Sequence, residues 1–378
     1  MLRVLTFVAS LLICTLNASS QVTFILNSLP NDTPENSEFY LAGSINKWAP
    51  DHPDFKFKLD DAGRMALTIK SVPDTFDYKI CRGTWPSVEV DSSGKDLPTR
   101  LYVDSLGNKV ELDIAQWRDM LKSRDLVSTA NSDVFFTPTS IEIPRLNRRR
   151  TVRVYFPPDY SSRQGFPVIY MLDGQNAFDA STSFSGEWNI DETLDSLHFS
   201  RGFSCIVVAV YHGEKHRINE YTPWANDNKE GGDGARFARF LAKDLKSYID
   251  DNYRTLPGKD YTMIMGSSLG GMMALYTVLE YPRVFGKAAI FSPDLEWSEE
   301  SFEQIEKFRK RRFQKIYIAA GEKEDRKMIS NVKKAKKLLK KAEFDKRELK
   351  VRIVPGGRHS EWFWGEEFPV AAKWLFEF

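Results

Sequence analysis

Five residues, Gly266-Ser267-Ser268-Leu269-Gly270, follow directly on the apolar, strand-like run Tyr261–Met265 and lead into an apolar helical stretch from Leu269 to about Tyr281. Strand, sharp turn and helix in immediate succession leave few folds open to the chain. Glycines at both flanks suit a turn too tight for Cβ atoms, and the strain at its centre lifts a hydroxyl above the end of a sheet. Ser268 is the candidate nucleophile. The competing role for such a serine is an ordinary helix N-cap, which the preceding strand and the paired glycines disfavour.

A serine hydroxyl attacks only when a neighbouring base takes its proton, so a histidine and an orienting carboxylate are needed. Of the five histidines, His359 lies in the glycine-rich loop Val354-Pro-Gly-Gly-Arg-His-Ser360, just past the strand-like Leu349–Val354. An acid is expected between the two, also past a strand. Lys315–Ala320 reads as that strand, and Gly321-Glu-Lys-Glu-Asp325 follows it. Glu324 is the favoured acid, with Glu322 and Asp325 as rivals. The order serine, acid, histidine is that of an α/β-hydrolase.

The surrounding pattern agrees. From about Ser132, the strand-like segments Ser140–Ile143, Thr151–Phe156, Pro167–Leu172, Phe203–Val210, Tyr261–Met265, Lys287–Phe291, Lys315–Ala320 and Leu349–Val354 are separated by helical stretches. Phe237, Leu241, Leu245 and Tyr248 recur at helical spacing, as do Met328, Val332, Ala335, Leu339 and Ala342. Continuous apolar strands alternating with such helices predict a mostly parallel sheet covered on both faces, with ligands at the strands' carboxyl ends.

Residues 1–20 read as an export leader. Arg3 supplies the positive charge, Val4–Leu16 is too short to span a bilayer, and Ala18-Ser-Ser20 offers small residues for cleavage. A periplasmic or secreted protein is expected, with no membrane span. Cys14 follows the bulky Ile13, which argues against a lipoprotein site. Arg3 is the only charge in the leader, so the remainder is formally neutral and has no global field for nucleic acid. The basic runs Lys307–Arg312 and Lys333–Lys341 read as solvated helix faces. Cys81 and Cys205 are expected to be free, buried thiols, and no ligand spacing suggests a metal.

Residues 21–115 have a different rhythm. Short alternating runs such as Val22–Leu26, Glu38–Ala42, Phe55–Leu59, Met65–Ile69 and Phe76–Ile80, broken by Asn/Asp/Gly/Pro turns, predict a small β-sandwich. Residues 116–131 read as a polar linker, and 132–378 as the α/β-hydrolase part.

Four segments, Pro167-Val-Ile-Tyr-Met-Leu-Asp-Gly-Gln-Asn-Ala-Phe178, Arg217-Ile-Asn-Glu-Tyr-Thr-Pro223, Gly266-Ser-Ser-Leu-Gly-Gly271 and Gly321-Glu-Lys-Glu324, together resemble the esterase D-like group. That group contains carbohydrate esterase family one (feruloyl and acetyl-xylan esterases) and the enterochelin-type esterases. The resemblance spans nearly all of 132–378. It implies Ser268 as nucleophile, His359 as base and Glu324 as third member, with an oxyanion hole from the N–H of Leu269 and one near Gly174 or Gln175. Asp173-Gly174 departs from the His-Gly of many relatives, which bears on substrate fit. Residues 22–113 are similar to starch- or glycogen-binding β-sandwiches, carried by Phe39-Tyr-Leu-Ala-Gly-Ser-Ile-Asn-Lys-Trp48 and Tyr78–Glu89.

The resemblance implies a serine esterase working through an acyl-enzyme without metal or organic cofactor, on feruloyl or acetyl esters of polysaccharides. A siderophore-lactone esterase, a general short-chain or thioester hydrolase and a non-catalytic carbohydrate-binding protein are the alternatives. The long segment from His212 to Asp233 carries Arg217, Tyr221 and Trp224, which together with Trp188 are candidate pocket residues. An Arg217–Glu220 ion pair stiffening that segment is an equal expectation, and Trp188 serves equally as core. Trp85, on a turn, is the better candidate platform for a sugar ring; for Trp48 a place in the sandwich core is the first expectation and a sugar platform the second.

Overall fold

The computed structural model describes residues 20–46, 48–94, 96–121, 128–183, 185–226, 230–310 and 312–378. The expected leader, Arg3 and Cys14 included, lies outside them apart from Ser20, which opens the first strand.

The front part is all-β, as its short alternating runs require. β1 (Ser20–Ser28), β2 (Tyr40–Gly43), β3 (Lys58–Leu59), β4 (Met65–Val72), β5 (Thr75–Cys81), β6 (Arg100–Val103) and β7 (Lys109–Asp113) form two small sheets in the orders β3-β4-β1-β7 and β2-β5-β6. Alternate residues of these strands point inward, so Val22, Phe24, Leu41, Tyr78, Ile80 and Tyr102 make a common core. The stretch expected to be linker starts inside this core. Trp117 is fully buried, stacks on Phe39 at 5.7 Å and donates its indole N–H to Thr33. Its large apolar ring outweighs the polar residues around it. Ser128 to Asn131, by contrast, bond to Asp179 and Asp191 of the following part.

The second part is an eight-stranded sheet. Its strands are β8 (Val134–Phe136), β9 (Val152–Tyr155), β10 (Val168–Leu172), β11 (Ile206–Val210), β12 (Thr262–Ser267), β13 (Lys287–Phe291), β14 (Lys315–Gly321) and β15 (Leu349–Val354). They run in the order β8-β9-β11-β10-β12-β13-β14-β15. All pairings from β11 to β15 are parallel; β8 and β9 attach antiparallel.

Successive side chains of a strand face opposite ways, and the packing follows that alternation. Tyr170, Val208, Ile264, Ile290 and Ile318 face one core with the helices α2 (Arg217–Tyr221), α3 (Gly234–Arg239, continued through a π-helical turn Phe240–Leu245 into Lys246–Asn252), α4 (Leu269–Glu280), α5 (Glu300–Lys307) and α6 (Arg326–Lys341). Met171, Val207, Met265, Phe291 and Tyr317 face the other, under α1 (Ile190–Arg201) and α7 (Glu361–Phe376). Cys81 and Cys205 are free and buried, as expected. No described helix is long and apolar enough to cross a membrane.

Candidate active site

Ser268 sits between β12 and α4 with φ 55° and ψ −125°, a conformation that L-residues adopt only under constraint. The constraint is visible in its backbone. Its N–H donates to Phe291 O at 3.0 Å, and its carbonyl accepts from Met272 and Asp294, both at 3.1 Å. Gly266 is required because a Cβ there would lie 2.5 Å from the carbonyl oxygen of Gly270. The helix therefore turns back tightly on the strand that feeds it, and Leu269 opens α4 with an N–H that has no helical acceptor.

Glu324 follows β14 and is buried. One carboxylate oxygen accepts from Ser292 Oγ at 2.6 Å and from the Gly321 N–H at 2.7 Å. The other lies 3.0 Å from His359 Nδ1. Neither rival does this: Asp325 caps α6 by accepting from Met328 N, and Glu322 lies on the N–H of Gly356. The two loops meet because a Cβ on Gly321 would fall 2.2 Å from the backbone of Gly357, an approach only glycine permits. A carboxylate at Nδ1 requires the imidazole proton there, which leaves the Nε2 lone pair free to take a proton. Burial works against a charged His359, but the Glu324 hydrogen bond and charge, supported by Asp77 and Glu361, hold its pKa above the ordinary value.

Ser268 and this pair share one rim of the sheet. Ser268 bonds Phe291 at the end of β13, the next residue Ser292 bonds Glu324, and Glu324 bonds His359. Ser292 and Trp364, whose indole N–H donates to Ser292 Oγ at 2.8 Å, anchor the acid. Neither was singled out from the sequence; Ser292, directly past an apolar strand, carried the one signal available.

The other candidates divide. Gly174 and Gln175 open a short 3-10 turn directly after β10, and a Cβ on Gly270 would touch Asp173 Oδ2 at 3.1 Å. The turn is thus adjacent to the start of α4. Arg217 forms a bidentate pair with Asp173 (2.7 and 2.8 Å), not with Glu220. Burial alone would raise the Asp173 pKa, but the guanidinium outweighs it and holds the carboxyl below the ordinary range. The Asp-Gly departure is thus matched by a charge partner.

Tyr221 is fully buried and does not line a pocket; its hydroxyl accepts from the Asp173 N–H at 3.0 Å. Trp188 is core, edge-on to Phe291 at 5.4 Å. Trp224 is half-buried and tied to Trp297 and Tyr276. Trp48 and Trp85 pair at 6.2 Å, and Trp48 stacks on the His359 ring at 6.1 Å and 19°. Trp48 therefore lies beside the rim, with Trp85 behind it.

Glu220 instead takes Arg150 on both oxygens (2.7 and 2.6 Å) and Arg148 at 3.0 Å. Glu220 and Arg150 are both buried. Removing one partner strands the other charge away from water, so Glu220→Ala is expected to lower unfolding stability by about 3–5 kcal/mol. Urea denaturation checks this; a midpoint equal to the parent's contradicts it.

Residues 143–375 match the family described as "Putative esterase". The chain belongs to that family. It is a carboxylic ester hydrolase of α/β-hydrolase fold. Among similar proteins, the uncharacterized protein YbbA of Bacillus subtilis is 27% identical over 245 residues, 61% of this chain and 93% of that protein. The ferri-bacillibactin esterase BesA of the same organism is 25% identical over 195 residues, 47% of this chain and 66% of its own length. Among solved structures, enterochelin esterase from Shigella flexneri superposes with a TM-score of 0.56 at 15% identity, across 94% of this chain and 92% of that one. That likeness of fold includes the β-rich front part.

Proposed function

We propose that this esterase cleaves its substrate through an acyl-enzyme on Ser268. His359 Nε2 takes the hydroxyl proton as Ser268 Oγ attacks the ester carbonyl, and Glu324 steadies the imidazolium through Nδ1. The tetrahedral oxyanion is received by the N–H of Leu269 and an N–H of the Gly174–Gln175 turn, donors fixed before reaction and therefore effective. His359 returns its proton to the departing alcohol, and water repeats the cycle on the acyl group. The observation that carries this reading is the His359–Glu324 hydrogen bond on the rim where Ser268 is held in its strained turn.

For the substrate, the position of Trp48 and Trp85 is the guide. A feruloyl or acetyl ester on a polysaccharide is best served by a sugar platform apart from the reacting centre. Here Trp48 stands beside the imidazole of His359 and Trp85 beside Trp48, which suits an ester whose own planar aromatic groups crowd the scissile bond. A catechol-bearing lactone of the siderophore type has that shape. The sequence relative BesA, named for ferri-bacillibactin, supports this reading. Export of the protein, with cleavage near Ser20, remains part of it and is read by N-terminal sequencing of the mature chain.

The experiment is a panel of kcat/KM values for enterobactin, methyl ferulate, a feruloylated arabinose oligosaccharide and p-nitrophenyl acetate. The expected result is highest turnover on the catechol lactone and no gain from attached sugar over methyl ferulate. A gain of about tenfold or more from the sugar, equivalent to about 1.4 kcal/mol of transition-state binding, overturns the lactone reading in favour of polysaccharide esters.

A further inference from the structure

Two side chains of the front part reach the catalytic histidine from a chain segment about 300 residues away in sequence. After β2 the chain passes through the short turn Ser44–Asn46. The Asn46 side chain pins that turn by accepting from the Gly43 N–H at 2.8 Å and donating to Leu41 O at 2.7 Å. The Trp48 N–H closes it on Gly43 O at 2.8 Å. Trp48 is thereby held at φ 61°, where a bulky residue is strained and persists only if its surroundings over-determine it.

What this placement achieves is a ring nearly parallel to the imidazole of His359 and 6.1 Å from it centre to centre, with Trp364 meeting the same imidazole edge-on at 4.9 Å. Asp77, on β5, is also buried, and its carboxylate faces the backbone N–H of His359. One of its oxygens has no hydrogen-bond partner among the described residues. A buried carboxylate so placed is costly unless a positive charge answers it.

We propose that Trp48 and Asp77 are positioning residues for the catalytic base, so that the front part completes the active site instead of serving as a detachable binding module. This rests on the reading of Ser268 and His359 given above. When His359 takes the serine proton it becomes a cation. The indole face then attracts it more strongly than the neutral ring, and the Asp77 charge does the same through space. Both interactions grow along the reaction coordinate. Trp48, nearly parallel, and Trp364, edge-on, also flank the imidazole and limit its turning away from Glu324.

The charged groups facing His359 are Glu324 beyond β14, Asp77 on β5, Glu361 at the start of α7 and the adjacent Arg358. Glu324, Asp77 and Glu361 favour the imidazolium where they are ionised; burial pushes Asp77 up to about 6 and Glu361 up to about 7, and Arg358 works to keep Asp77 charged. Removing the Asp77 charge must therefore lower the pKa of His359. Since only the neutral imidazole acts as base, the acid limb of the pH profile moves to lower pH.

The test uses the full chain, with p-nitrophenyl acetate, a substrate too small to need an aromatic wall. Trp48→Ala is expected to lower kcat about tenfold with KM within about twofold, and Trp48→Phe to recover most of the loss. Asp77→Asn, nearly isosteric, is expected to shift the acid limb of kcat/KM down by about half a pH unit or more. Circular dichroism gives the folded fraction to which each rate is referred. If Trp48→Ala and Asp77→Asn match the parent in kcat per folded molecule and in acid limb while Ser268→Ala is inactive, the positioning role is overturned. Where Trp48→Ala does not fold, Trp48→Leu, apolar but without an aromatic face, and Asp77→Asn decide by the same readouts. A fully active Ser268→Ala overturns the underlying mechanism instead.

Discussion

Ser268→Ala is expected to lower kcat for any ester substrate by roughly 10⁴-fold or more, because no acyl-enzyme can form without the hydroxyl. Stability should change little. The strained backbone of residue 268 is fixed by its own N–H and carbonyl, bonded to Phe291, Met272 and Asp294, and alanine keeps all three contacts. Substrate should still bind, since the proposed oxyanion donors are backbone groups. Stopped-flow rates with p-nitrophenyl acetate and a thermal melt together make the check. A variant that melts with the parent and hydrolyses at the parent's rate contradicts the role given to Ser268.

The second large effect is expected at Glu324. Glu324→Gln preserves shape and leaves acceptor capacity for the Ser292 hydroxyl and the Gly321 N–H, which the parent carboxylate holds at 2.6 and 2.7 Å. Toward His359, however, it can present an amide N–H where Nδ1 needs an acceptor. The imidazole proton then moves to Nε2, the wrong tautomer for the base role proposed for His359. A loss on the order of 10³–10⁴-fold in kcat follows, with KM largely kept. The substitution also removes the largest favourable influence on the charged imidazole, so the acid limb of residual activity should fall to lower pH. Loss of activity through raised KM alone contradicts the orienting role.

The part of this arrangement that could be read from the chain was the part written locally. Gly266 to Gly270 announces its turn through the absence of Cβ atoms, and the apolar strands on either side announce a buried sheet. His359 was legible because it is a histidine in a glycine-rich loop past a strand. Glu324 was less so, since Glu322, Glu324 and Asp325 are chemically equivalent in sequence. The choice among them is made by the turn at Gly321, which packs against Gly357 and leaves one carboxylate facing the imidazole.

What sequence could not supply were pairings across distant elements. Arg217 and Glu220 are three residues apart, an attractive ion pair on a helix, yet each is claimed by a buried partner elsewhere: Asp173 for one, Arg150 and Arg148 for the other. Tyr221 and Trp188 looked like pocket residues because aromatic side chains with a polar tip suit both settings, and burial decided for core. Trp48 and Asp77 carried no local signal of a catalytic neighbour, because their placement follows from how β2, β5 and the loop before α7 come together.

Covalent labelling is the most direct measurement of the central claim. The protein is reacted with a fluorophosphonate, a mimic of the tetrahedral intermediate, and the modified residue is located by peptide mass spectrometry. The expected outcome is a single adduct on Ser268, formed in step with loss of hydrolysis and greatly slowed in His359→Ala. Full inactivation with the adduct on another residue, or hydrolysis that persists after Ser268 is stoichiometrically blocked, contradicts it.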